Sequence, residues 1–172
     1  LELVDQLLAS EAERRSACDV LMRITSMQKL IASNDLNRAK AKVVCFTARS
    51  LEDIKSMRVF RSHLSKWDFE PFGVGIRKSV VLELGGREVQ YGTDESYARL
   101  AADDRPFFQL AVGKSKSSVP IDWTKESEWR VIGDINLGQL SMDDVILFVS
   151  DVQSARRLQS VWDGTIVLMH YG

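Results

Sequence analysis

The chain predicts an α+β fold: a mixed five- or six-stranded sheet flanked by helices, preceded by an N-terminal helical arm. Three observations predict it. Apolar residues at helical spacing fill residues 1–34, short β-branched runs punctuated by glycine recur from residue 43 onward, and a strand, a capped helix and a second strand follow one another near the C-terminal end. At 172 residues the chain has the size of one domain able to bury a sizeable core. We therefore expect a single domain over 1–172, with 1–42 as the arm and 43–172 as the sheet core.

In the arm, Leu3, Val4, Leu7 and Leu8 form one apolar group, and Cys18, Leu21, Met27, Leu30 and Ile31 a second. The polar run at 10–16 interrupts the stripe, which predicts two helices or a solvent-facing bend. Asn34, Asp35 and Asn37 then end the helix before a strand at 43–47. Ser50 caps the next helix, with Asp53 in the reciprocal place of a capping box. Met57, Phe60, Leu64 and Trp67 recur at helical spacing beyond it. Segment 72–76 alternates glycine with larger side chains, which reads as a strand whose backbone something approaches closely.

A short helix over 79–84 ends at Gly85 and Gly86, and a strand resumes at 88–91. Asp94 caps a helix carrying Tyr97, Leu100 and Ala101. Residues 113–120, poor in apolar side chains, form the expected mobile loop. Strands at 129–135, 145–149 and 165–169 close the chain, with a helix over 152–162 before the last. Ser150 and Gln153 make its capping box, Val152, Ala155, Leu158 and Trp162 face inward, and Gly164 ends it. Strand, helix and strand in that order make a parallel crossover.

Composition narrows the function classes. With 45% hydrophobic and 27% charged residues, wholesale disorder is excluded. A formal charge of −1 and a pI near 6.2 exclude a nucleic-acid binder that works through bulk charge. Cys18 and Cys45 each sit in an apolar run, so both are expected as reduced core residues, which suits the cytoplasm. No apolar run approaches the roughly 18 residues that span a bilayer, and the first residues of the sequence show no basic segment followed by a hydrophobic one. Because the chain begins at Leu1 rather than a methionine, we expect that residues precede it in the natural protein.

The standard chemical motifs are absent. Gly73 to Gly75 lacks the third glycine of a dinucleotide fingerprint, and there is no phosphate loop. Two distant histidines and two apolar-run cysteines do not make a zinc site, and no GxSxG elbow accompanies His63 or His170. The densest stretch is WTKESEWR at 123–130. Placed on a strand, Glu126, Glu128 and Arg130 share one face and Trp123, Ser127 and Trp129 the other. A carboxylate beside an arginine on a pocket-facing strand can orient a ribose or phosphate, or stabilise cationic charge in a transition state. The plainer alternative is a salt-bridged edge over packed tryptophans, worth at most about 1 kcal/mol per pair. Likewise Arg49, Lys55, Arg58, Arg61, Lys66, Arg77 and Lys78 form either a phosphate site or a solvated face, and His63 is either a proton-transfer or ribose contact or a structural residue.

Taken together, VVCFTARSLEDI, SHLSKWDFEPFGVGIRKSVVLELGGREVQYG and KESEWRV resemble the bacterial abortive phage-resistance family of the abortive-infection G type, first component, and a related broad family of bacterial domains. The matching positions are Cys45, Phe46, His63, Trp67, Phe72, Gly73, Gly75, Lys78, Tyr91, Glu128, Trp129 and Arg130, within residues 43–135. The chain departs from the pattern at Trp67 and Phe72, where tyrosines are common, and at Ser127, where an arginine is usual. The resemblance implies a bacterial cytoplasmic protein encoded beside a protein partner and acting in phage defence or growth control, as an antitoxin-like half. An alternative is an ADP-ribosyltransferase-like enzyme that uses NAD, an analogy of outline alone. On either reading the expected pocket lies near His63, Arg77, Glu128 and Arg130, with Trp67 and Trp123 as walls. For the enzyme, Glu128 and His63 would be catalytic and Arg77 or Arg130 would hold phosphate. For the binding module, the tryptophans would anchor the partner.

Overall fold

A computed structural model describes residues 16–34, 37–58, 60–61, 66–67, 69–113 and 121–169, with backbone alone at 60–61 and 66–67. The mixed α+β class holds, but among the described residues the strands divide among several small sheets, and the expected single five- or six-stranded sheet is not seen. Two of these have three strands. In one, β2 (Val43–Thr47) pairs antiparallel with β11 (Glu128–Ile132), which pairs antiparallel with β6 (Arg87–Glu88). In the other, β13 (Val145–Val149) lies parallel to β14 (Thr165–Leu168) and antiparallel to β5 (Gly73–Ile76). Alternation of apolar residues decides that a run is extended but leaves its partner strand open, which is why the strands were legible and their grouping was not.

The rest of the described chain is arranged around these sheets. Helix α1 (Ala17–Met27) leads into β1 (Lys29–Leu30), which pairs with β12 (Ile135–Asn136). Helix α2 (Leu51–Ser56) follows β2, β3 (Phe60–Arg61) pairs with β4 (Lys66–Trp67), and α3 (Lys78–Glu83) follows β5. Strand β7 (Gln90–Gly92) runs parallel to β8 (Phe108–Leu110), with α4 (Asp94–Arg99) between them, and β9 (Val112–Gly113) pairs with β10 (Ile121–Asp122). Helix α5 (Val152–Leu158) makes the expected parallel crossover from β13 to β14.

The core sits where β13 meets the helices. Along β13, Val145, Leu147 and Val149 are fully enclosed while Ile146 and Phe148 turn to the other face, the period of two that a strand imposes. Leu158 and Trp162 from α5 and beyond, Leu21 from α1, and Val44 and Val131 from the first sheet join the same cluster. Each such large aliphatic contributes roughly 1.5–3 kcal/mol by leaving water. Outside the core, Asp19 of α1 and Arg157 of α5 pair at 2.9 Å.

Capping sets the helix boundaries. Ser16 accepts from the Asp19 N–H while Asp19 reaches back to Ser16, a full capping box. The first part of the expected arm, including Leu3 to Leu8, lies outside the described residues. Helix α1 ends at Met27, well before Asn34, because Gln28 turns left-handed at φ 49° and the chain becomes β1. Ser50 caps α2 as expected, but Asp53 takes its bond from the Ser50 hydroxyl. The helical stripe expected through Phe60 and Trp67 is replaced by the β3–β4 pair. The Ser56 hydroxyl donates to the Asp53 carbonyl at 2.7 Å, a local bond that competes with helix continuation.

Thr93, not Asp94, caps α4, and Asp151 with Ser154, not Ser150 with Gln153, caps α5. At this new boundary Val152 is the first helical residue and stands exposed, while Ser154 and Leu158 turn inward. The helix ends at Leu158 rather than near Gly164. The strand expected over 129–135 breaks at Gly133, whose φ of 83° turns the chain. The strand expected over 88–91 changes sheets at the buried Val89, whose N–H donates to the Glu128 carbonyl at 2.9 Å.

Close approach explains the glycines of β5. A Cβ on Gly73 would lie 2.3 Å from the Phe148 ring, and one on Gly75 would lie 2.7 Å from Ile146. These are the direct partners across the β5–β13 ladder, so the two outward side chains of β13 fold over a strand that has none there.

Candidate functional site

A cavity of about 650 Å³ lies between the two three-stranded sheets, within the range of roughly 300–1,000 Å³ typical of ligand sites. Successive residues of β2 from Cys45 to Thr47, and all of β5, line it. Neighbouring residues on a strand point to opposite faces, so a cavity that touches all of them runs along the strand edges. Phe46, Phe69, Trp123, Trp129 and Phe148 supply aromatic walls, and Arg49, Lys78 and Glu126 are the charged groups away from β11.

WTKESEWR builds one end, but not as a continuous strand. Residues Trp123–Glu126 form a single 3₁₀ turn, capped by Asp122, whose carboxylate accepts from the Thr124 N–H at 3.1 Å. Ser127 then adopts φ 46°, and β11 begins at Glu128. The turn is fastened to the β2 end: Thr47 Oγ1 donates to the Glu126 carbonyl at 2.6 Å and Arg49 Nε to the Lys125 carbonyl at 2.7 Å. Trp123 lies against Gly113, where a Cβ would meet its indole nitrogen at 2.1 Å.

Glu128 and Arg130 do share a face of β11, as the spacing predicts, and both border the cavity. They are bound to each other. Arg130 Nε donates to one carboxylate oxygen at 2.8 Å and Nη2 to the other at 2.9 Å, with the arginine side chain 3% and the glutamate side chain 12% exposed. Nη1 donates to the carbonyls of Pro106 and Phe108, and Nη2 also to Gln109. All five guanidinium N–H groups are thus engaged, and the arginine fastens β11 to the segment entering β8. The Glu128 N–H donates to the Tyr91 hydroxyl at 3.1 Å. Burial, the largest cause, pushes that phenol above its ordinary range.

Cys45 sits across from Arg130 in the ladder. It was expected in the core, but the cavity opens onto its side chain, which is exposed. The walls nonetheless crowd it: burial and then the Glu128 charge push the thiol up to about 12. Lys78 places its ammonium 4.4 Å from the centre of the Trp129 ring.

The other expected site residues separate. Arg77 leaves the cavity: its Nε donates to Asp144 at 2.5 Å, and its Nη2 to the Asp143 carbonyl, tying the start of α3 to the turn before β13. His63 lies outside the described residues, as does the Trp67 side chain, so the pairing of His63 with Glu128 is not seen. His170 and the expected loop beyond Gly113 also fall outside them. Much of the basic run meets partners instead of a ligand: Lys55 pairs with Glu52 and Arg58 with Glu70.

Reading for a site missed Cys45, Gln109 and Phe148, and met Lys78 only as one of seven residues of the basic run. Cys45 and Lys78 are among the positions carrying the family resemblance, so a signal existed. Phe148 reads as one more apolar strand residue, and nothing marks Gln109. No protein-family model, curated protein or solved structure matches the chain. Among the described residues there is no cluster of three or more metal-ligating side chains, and no helix long and apolar enough to cross a membrane.

Proposed function

We propose that this chain is a protein-binding module, acting through the cavity between its sheets on a partner encoded nearby. In the cytoplasmic phage-defence setting that the sequence resemblance implies, it takes the antitoxin-like part. The observation that carries this reading over the enzyme is the state of Glu128. A transferase that holds NAD needs its glutamate to turn an oxygen toward the ribose, whereas both oxygens here accept from Arg130. The partner arginine has no unused donor left for a phosphate. Arg77, the other candidate phosphate contact, is committed to Asp144. Aromatic walls with two cations suit instead the anchoring of side chains from another protein.

A titration and a co-purification test it. Calorimetry with NAD is expected to show no saturable heat, and co-purification with the neighbouring gene product is expected to fail with Trp123→Ala and to survive Glu128→Gln, each in protein whose folding circular dichroism verifies, because Glu128→Gln strands the buried Arg130. Saturable NAD binding that Glu128→Gln abolishes would instead establish the transferase.

A further inference from the structure

We propose that the cavity is a slot for one extended segment of the partner, which enters as an added strand between β2 and β5; this rests on the protein-binding reading above. The ladder hydrogen bonds fix which way each backbone group points. Val43 exchanges both of its bonds with Ser33 across the outer edge of β2, each at 3.0 Å, while the Ala48 N–H reaches Ser127 on the β11 side at 3.1 Å. In an antiparallel ladder the direction alternates residue by residue, so Val44 and Phe46 face β11 while Cys45 and Thr47 turn N–H and C=O outward.

The same logic applies to β5. Its next residue, Arg77, donates its N–H to the Asp144 carbonyl at 2.8 Å. Gly73 and Gly75 therefore face β13, and Val74 and Ile76 turn N–H and C=O away from it. Among the described residues these outward groups of Cys45, Thr47, Val74 and Ile76 have no backbone partner. Both strands are edges of their sheets, and both border the same cavity. An unpaired edge is a template for another strand, and two edges on one cavity allow the guest to pair on both sides.

The walls specify what that guest carries. Trp123, Trp129 and Phe148 favour apolar or aromatic side chains at alternate positions. Arg49 and Lys78 have no carboxylate partner among the described residues and outnumber Glu126, the one acid of the lining away from β11, so the walls favour an acidic guest. Proline is disfavoured because it lacks the N–H that an edge must receive.

The test uses the full chain and a displayed library of random peptides about eight residues long. Enriched peptides are expected to be acidic, proline-poor and apolar at every second residue. A synthetic peptide made from that consensus is expected to slow amide exchange at Cys45, Thr47, Val74 and Ile76. Val74→Pro, which removes an outward N–H and leaves the β13 ladder intact, is expected to weaken this peptide roughly tenfold. Should that variant not fold, Arg49→Glu on the exposed rim provides the second measure, with a similar loss expected. Peptides that bind, lose affinity with Trp123→Ala, yet leave those amides unprotected would overturn strand insertion and keep the binding module. An absence of enriched peptides would overturn insertion, and saturable, Glu128-dependent NAD binding alongside it would overturn the binding module as well.

Discussion

Arg130 and Glu128 lie two residues apart on one face of β11 and meet through two near-parallel hydrogen bonds of 2.8 and 2.9 Å. This pair decides how the cavity can be used, because it neutralises the one acid that sequence reasoning had reserved for chemistry. It also carries structure: the same guanidinium holds the carbonyls of Pro106 and Phe108.

Breaking the pair from one side leaves a buried charge alone. Arg130→Met is expected to cost about 3–5 kcal/mol in urea denaturation. Adding Glu128→Gln to it should recover part of the loss, since the stranded carboxylate is then gone. Equal stability of the single variant and the parent would show that the pair is not buried in solution.

Cys45 should be a slow nucleophile despite its accessibility. With the thiol pushed up to about 12, its thiolate at pH 8 is scarcer than that of a free cysteine by about three orders of magnitude. Iodoacetamide labelling followed by mass spectrometry is expected to be correspondingly slow. Glu128→Gln should speed it, because the second cause of the shift is removed while burial stays.

Gly73→Ala is expected to destabilise the protein by about 1–3 kcal/mol, as the new methyl must displace the Phe148 ring that lies 2.3 Å from its position. Chemical denaturation measures this, and an unchanged midpoint would mean that Phe148 does not cover β5.

Asp19 links pH to the contact between α1 and α5. The Ser16 hydrogen bond first, then that of Arg157, holds its carboxyl below the usual range. A depressed carboxyl contributes stability that is present above its ordinary value near 4 and is lost as pH falls through the lower folded value. Asp19→Asn should therefore flatten the acid limb of a stability-against-pH curve below about pH 4 while leaving its shape near neutrality unchanged. Parallel acid limbs for variant and parent would contradict this.

How much of this was legible depends on whether the signal was local. Strands β2 and β13 and the crossover through α5 follow from apolar runs and punctuation, and the shared face of Glu128 and Arg130 follows from a spacing of two. The clash-limited glycines of β5 were legible as a close approach, though not as Phe148 and Ile146. Pairing was not legible: nothing local in Gly73–Ile76 tells that it joins Val145–Val149 rather than Val43–Thr47. Caps slipped by one residue at Thr93 and Asp151 because adjacent Ser, Thr and Asp cap almost equally well. Placing WTKESEWR on one strand to read its faces fails at Ser127, whose left-handed backbone no glycine announces. Arg77 looked like a ligand contact because its partner, Asp144, lies far away in the chain.

The central claim is that the two sheets stop at β2 and β5, with their backbones open to the cavity. Amide hydrogen exchange of the free chain, resolved by residue, tests it most directly. The expected result is alternation: Val44, Phe46, Gly73 and Gly75 protected, and Cys45, Thr47, Val74 and Ile76 exchanging fast. Uniform protection along both strands would contradict it, because the edges would then already be paired.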